Sequence, residues 1–283
     1  MSGTLYLVAT PIGNLEDITL RALRILREVD LIAAEDTRHS ARLLHHYGIT
    51  TRTTSLHKHN EHQRTPGLVD RLVHGNSVAL LSDAGTPLVS DPGSQFVRHA
   101  LEAGVAVVPL PGPSAVISAL IASGAPLDRF TFVGFPPKRS NDRIKWCQSL
   151  ASIPTTIVFF ESPHRLTTTL KMIRDHWGDR EAALCRELTK IHEELVIRPI
   201  SDLIEAVGKP RGEYTCVVWP PPVATHSAPE LPTGIVLAHE LAQTIGKVGS
   251  RRDSVKEMAR KYKLSQRKMY AAIETSKEIV QKT

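Results

Sequence analysis

Three cysteines are all that this chain of 283 residues contains, and Cys147, Cys185 and Cys216 stand far apart. An odd, scattered set offers neither a disulfide framework nor the paired spacing of a zinc site, and it points to a reducing, cytoplasmic setting. No apolar run is long enough to cross a bilayer, so no membrane partner is expected. The amino terminus has no basic segment leading into an apolar core, so no secretory leader is expected either. Neither a G-x-G-x-x-G fingerprint nor a Walker A loop occurs, which disfavours the usual dinucleotide and ATP sites. A surplus of acid is missing too. The net charge is +6, and residues 232–283 hold 11 Lys and Arg against 5 Asp and Glu, so the whole excess sits there. A neutral body with a basic appendage suggests a polyanionic partner, nucleic acid before a merely solvated helix.

What is present reads as a folded body. Hydrophobic residues make up 41% of a length sufficient for two modest domains. Residues 4–9 read as a strand, 19–29 as a helix with Thr19 as N-cap, 31–34 as a short buried strand, and 40–47 as a helix stopped by Gly48. Strands at 78–81 and 105–108, each followed by a helix, continue the rhythm of a parallel sheet covered on both faces. Further strands at 130–135, 155–160, 182–185 and 214–219, with helical patterns such as 166–177 between them, predict a second α/β domain. The predicted organisation is therefore an α/β domain over 1–112, a second over 113–222, a stiff Pro-rich linker over 223–232, and a basic helical extension over 233–283. In that extension 254–262, a turn at Lys263-Leu264, and 265–273 have helix-turn-helix proportions.

Residues with chemistry cluster at the predicted carboxyl ends of strands, where open α/β sheets place their ligands. Five loops qualify: 10–14, 35–38, 82–93, 109–115 and 161–165. If both sheets are parallel there, these loops converge on one cleft. The densest, Ser82 to Gly93, holds Asp83, Asp91, Thr86 and Ser90 between glycines and prolines. Asp83 suits a ribose diol or a cation, or an ordinary turn. Ser114 opens a helix and suits an anion or plain N-capping. Glu35, Asp36 and Arg38 suit a site or a structural ion pair. Glu161, His164 and Arg165 follow two phenylalanines and favour a site, because perturbed ionisable groups gather there. Glu187 and Lys190 form a weaker version after another strand. The run from His57 to His62 looks like a metal cluster, but no fourth ligand is evident, and polar contacts to substrate or a solvated loop are preferred.

These stretches together resemble the tetrapyrrole methylase family of S-adenosylmethionine-dependent methyltransferases. The carriers are residues 7–15, 34–38, 59–61, 82–93, 111–114, 160–165 and 186–190. Within the family they are most similar to the ribosomal RNA methyltransferase branch, whose members methylate the ribose 2′-hydroxyl of a decoding-centre cytidine in bacterial 16S rRNA. The resemblance implies two α/β domains with the methyl donor in the cleft between them, a homodimer, and 16S rRNA within the 30S subunit as partner. It implies donor contacts from Pro11, Asp83, Gly85, Thr86, Ser114, Ala115 and Phe160. One departure stands out: the wider family commonly has Gly-Asp-Pro where this chain has Ser82-Asp83-Ala84-Gly85-Thr86-Pro87, so Asp83 carries over more directly than the contacts just after it.

A ribose hydroxyl is a poor nucleophile, so a base should take its proton. Glu35, Asp36, Glu161 and Glu187 are the candidates, with the Glu161–Arg165 pair expected to matter most. Arg38, His59, Asn60, His164 and Lys190 would contact RNA or orient the acids. In the extension Arg251, Arg252, Lys256, Arg260, Arg267 and Lys268 would grip phosphates. The rival readings are a precorrin-type tetrapyrrole methyltransferase, and a nucleic-acid-binding regulator whose body senses a small ligand.

Overall fold

The computed structural model describes residues 2–221, 235–262 and 264–280. The linker expected over 223–232 and Lys263 of the expected turn lie outside the described residues. The chain divides into two compact units, Met1–Pro221 and Pro222–Thr283.

The first unit opens with β1 (Thr4–Val8), α1 (Leu20–Glu28), β2 (Leu31–Ala34), α2 (Thr37–His46), β3 (Thr53–Ser55), α3 (Glu61–Val73), β4 (Val78–Leu81), α4 (Ser94–Glu102) and β5 (Ala106–Leu110). The strands form one parallel sheet in the order β3-β2-β4-β1-β5. β2 and β4 are buried at every residue, as the continuous apolar runs of a sheet covered on both faces require. One core joins α1 and α2 to one face, and a second joins α3 and α4 to the other. Thr19 caps α1 by accepting the Ala22 N–H. α2 begins three residues earlier than its apolar pattern predicts, because the Asp36 side chain accepts the Arg38 N–H and caps the helix there.

The chain continues with α5 (Ala115–Ser123), β6 (Phe130–Phe132), α6 (Ser140–Leu150), β7 (Thr156–Glu161), α7 (Pro163–Trp177), β8 (Glu181–Arg186), β9 (Glu194–Pro199), α8 (Ile200–Ala206) and β10 (Tyr214–Val218). The second sheet has the order β6-β7-β10-β8-β9. It is not the parallel sheet that the sequence suggests: only β6 and β7 pair parallel, and the other three pairings are antiparallel. The reason is chain length. Residues 187–193 join β8 to β9, too few for the crossover of a dozen or more residues that a parallel neighbour needs. Because β10 runs against both β7 and β8, Tyr214 pairs with Glu161 on one side and Arg186 on the other. The carboxyl ends of β7 and β8 therefore reach the same edge despite the mixed sheet. α5 packs on one face over Val158, Ala183 and Val217, and α6, α7 and α8 cover the other.

The second unit contains α9 (Ile235–Val248), α10 (Arg251–Lys261) and α11 (Gln266–Val280). Leu237, Leu241, Val255, Met258, Met269 and Ile273 form its core. Each comes to the interior at helical spacing, which leaves Arg252, Lys256, Arg260, Arg267 and Lys268 on the outside.

Candidate active site

Four hydrogen bonds fix the loops at the carboxyl end of the first sheet. Thr10 and Gly85 exchange both backbone bonds at 2.9 Å. The Ser82 hydroxyl donates to the Gly85 carbonyl at 3.0 Å, and the Thr86 hydroxyl donates to the Pro113 carbonyl at 3.1 Å. Gly85 has φ +76°, a conformation that favours glycine. Leu88 and Ser90 in the same loop, and Glu187 and Thr189 after β8, also hold positive φ. Such strain persists where the surroundings over-determine it, and sites are where it gathers.

The loop after β1 also meets the loop after β8. The Thr189 hydroxyl accepts the Asn14 N–H at 3.1 Å, and a Cβ added to Gly13 would sit 2.4 Å from Lys190 Cγ. Between these loops lies a crevice of about 450 Å³. Glu35, Asp83 and Asp91 line it from the first sheet; Phe135, Phe160, Glu161, Lys190 and Glu213 line it from the second. Ser114 and Ala115, at the start of α5, also border it. Ser114 accepts the Ile117 N–H, so it is an N-cap as well as a lining residue.

The acids differ in state. Burial, with the nearby charges of Asp91 and Asp83, pushes the Glu35 carboxyl up to about 7. Burial and Asp83 push Asp91 up to about 6. Asp83 accepts the Asp36 N–H at 2.9 Å. Asp36 turns away to Arg38, whose guanidinium holds its carboxyl far below the usual range, and the Arg38 side chain is 90% exposed. Glu187 accepts the Glu213 N–H and the Lys190 ammonium, and both hold its carboxyl low. Lys190 also reaches Glu213 at 2.8 Å.

Glu161 is closed in. Its side chain has no exposure, Arg165 pairs with it at 2.6 Å, and it accepts the Ser162 N–H at 2.7 Å and the Thr169 hydroxyl at 2.6 Å. Arg165 spends its other donors on the Ser162 hydroxyl and the Pro136 carbonyl. The pair that the sequence puts forward as acid and base is thus a clamp holding the end of β7 to the start of α7.

Not every expected residue faces the crevice. Ile12 lines it rather than Pro11. His164 is exposed, and so is His59. Asn60 instead accepts the His57 N–H and donates to the Ser55 carbonyl, closing the turn before α3. Its neighbour Glu61 is buried and accepts the Gln95 and Phe96 N–H groups, capping α4. Asp91, Phe135 and Glu213 join the crevice without being expected as site residues. Asp91 has a sequence signal in its place on the densest loop, and Glu213 a weaker one, an acid beside Gly212 where a strand begins; Phe135 has none, since its contact with Phe160 at 5.3 Å places it.

This donor set suits a cation with an aromatic part. Three acids crowd one end, whereas Phe135, Phe160, Val89 and Val116 offer apolar walls. S-adenosylmethionine joins a sulfonium and an ammonium to a ribose and a base, and matches that distribution.

The known proteins fit the geometry. Residues 4–204 match the family of tetrapyrrole (corrin/porphyrin) methylases. A Mesorhizobium japonicum protein named ribosomal RNA small subunit methyltransferase I is 51% identical, over 76% of this chain and 75% of its own. A Synechocystis protein of the same name is 43% identical, over 95% of this chain and 96% of its own. Among solved structures, a diphthine synthase superposes with a TM-score of 0.62 at 18% identity, over 77% of this chain and 90% of that one. A uroporphyrin-III-C-methyltransferase from Thermus thermophilus gives 0.55 at 21% identity, over 78% and 93%. At such low identity these two speak for the fold alone. On the family match and the near relatives together, this chain belongs to the tetrapyrrole methylase family.

Proposed function

We propose that this chain is an S-adenosylmethionine-dependent methyltransferase acting on small-subunit ribosomal RNA, at the ribose 2′-hydroxyl of a cytidine in 16S rRNA. The observation that carries the reading is the pairing of an acid-lined, apolar-walled crevice with relatives at 43% and 51% identity named for small-subunit rRNA methylation. The donor supplies an electrophilic methyl group on a sulfonium. The protein then adds positioning, exclusion of water, and a place for the hydroxyl proton.

Asp83, Gly85, Thr86, Ser114, Ala115 and Phe160 hold the donor, with Ile12 in the place expected of Pro11. Glu35 takes the proton. It borders the crevice and titrates near neutrality, whereas Asp36, Glu161 and Glu187 are committed to Arg38, Arg165 and Lys190. Lys190, fixed between Glu187 and Glu213, faces the incoming nucleotide. Arg38, His59 and His164 are exposed and contact flanking RNA. The homodimer, the 30S particle as substrate and the cytoplasmic setting belong to the same proposal. Among the described residues no helix is long and apolar enough to cross a membrane.

Incubating the protein with labelled donor and assembled 30S particles, naked rRNA or tetrapyrroles tests this. Label is expected in the RNA of the 30S arm, and light scattering is expected to give twice the chain mass. Label in the tetrapyrrole alone would return the chain to the precorrin-type reading, and label in no substrate would favour the regulator.

The extension's role has its own test. Arg252, Lys256, Arg260, Arg267 and Lys268 are exposed, whereas Arg251 pairs with Glu274 at 2.7 Å. Replacing the five exposed cations by Gln is expected to flatten the salt dependence of RNA binding, by roughly 0.7 to 0.9 in log–log slope for each phosphate no longer neutralised. An unchanged slope would remove this role.

A further inference from the structure

The second sheet carries another cavity, on the face away from α5. It has a volume of about 360 Å³ and an apolar floor of Leu184, Val196, Leu203 and Tyr214. Its rim holds Arg186, Arg198, Lys209 and Arg211 against one carboxylate, Glu194. Glu194 is already taken by Arg186, at 2.6 Å. No acid lies within ion-pair distance of Arg198, Lys209 or Arg211 among the described residues. The Arg186 Nε is buried and has no hydrogen-bond partner among the described residues. A guanidinium left under-satisfied beside three uncompensated cations is unfavourable unless an anion completes the set.

The place of this cavity gives it a meaning. Arg186 directly precedes Glu187, and Arg211 lies two residues before Glu213. Those two acids hold Lys190 at the crevice. The ends of β8 and β10 thus present the crevice on one face and the cationic cavity on the other. An RNA strand crossing that edge would lay its backbone over the cations.

We propose that this cavity binds one phosphodiester of the RNA whose nucleotide enters the crevice. The proposal rests on the reading of RNA as substrate. Phosphate is the chemistry that fits: Arg186 and Arg211 offer planar forks, Lys209 a point charge, and a phosphate accepts from all three at once.

The test is the triple variant Arg198→Gln, Lys209→Gln, Arg211→Gln. All three residues are exposed, so the fold tolerates the change. The KM for 30S RNA is expected to rise about tenfold at ~0.15 M salt, and the salt slope to fall by about 0.7 to 0.9. The kcat at saturating RNA, and the affinity for S-adenosylmethionine by calorimetry, are expected to stay at wild-type values. The charge-retaining variant R198K/K209R/R211K is expected to restore the salt slope in full and the KM in part. A wild-type protein that methylates RNA, beside a triple variant with unchanged KM and slope, overturns the proposal. Loss of inorganic pyrophosphate binding with an intact RNA KM also overturns it, and marks the cavity as a site for a small phosphate. A wild-type protein that labels no RNA overturns the substrate reading instead.

Discussion

Glu35→Gln is expected to lower kcat by ~10²- to 10⁴-fold, the usual contribution of a positioned general base. The amide matches the carboxylate in size but takes no proton. The pH profile gives a sharper check. Burial and the charges of Asp91 and Asp83 hold the Glu35 carboxyl at about 7, so it is protonated at acid pH and ionised above neutrality. For wild type, kcat/KM is expected to rise with pH and level off above about 7; for Glu35→Gln the small residual rate is expected to be flat across that window. Asp91→Asn removes one of the charges that raise Glu35, so it should shift the rise to lower pH. Turnover above half the wild-type value in Glu35→Gln would exclude Glu35 as the base, as would an unmoved profile in Asp91→Asn.

Arg165→Met is expected to destabilise the first unit by about 3 kcal/mol, the low end of the range for breaking a buried ion pair. The low end applies because Glu161 keeps donors from Ser162 and Thr169, and because the Arg165 side chain is 21% exposed. For a body of this size that corresponds to a fall in Tm of roughly 6 to 12 °C. Adding Glu161→Gln to Arg165→Met removes the stranded charge and should recover at least half of the loss. Glu161→Gln alone should lower Tm yet leave the pH profile of kcat/KM in place, because the residue positions the end of β7 and does not exchange protons. A shifted profile in Glu161→Gln would return the proton to Glu161. An Arg165→Met protein as stable as wild type would show that the clamp does not hold the loop.

The two experiments probe acids that look alike in the chain. Glu35 and Glu161 each end an apolar strand, and each is followed within four residues by an arginine. What separates them is how the neighbouring side chains fold. Arg38 bends back to Asp36, which caps α2, and this leaves Glu35 without a counterion among the described residues. Arg165 stands one helical turn after Glu161 and folds onto it, while Thr169, a further turn on, closes the other oxygen. One acid is freed and the other is sealed by which way a neighbouring arginine turns.

Much of the first sheet was legible because its determinants are local. The apolar runs of β2 and β4, the Thr19 cap and the Gly48 stop carry their own physical reasons within a few residues. The second sheet was less so. β9 is an edge strand, largely exposed, with Leu195, Val196 and Ile197 between Glu194 and Arg198, and its partner is set by the short connection after β8. The run from His57 to His62 misleads from sequence, because its burial is decided at a distance: Glu61 turns inward to cap α4, more than thirty residues away.

By itself, then, the order of residues determined the strand-and-helix rhythm, the clustering of acids at strand ends, the basic extension and the family. The first three follow from periodicity, turn chemistry and charge, each of which acts over one or two turns of chain, and the family from the resemblance of its motifs. Only the tertiary structure decided the direction of the strands in the second sheet, which carboxylate is raised toward neutrality, and which cations are left without a counterion. The strand directions turn on which strands the fold pairs, and the state of each charged group on partners far apart in sequence, since burial and each neighbour's charge shift the balance between a free group and a paired one.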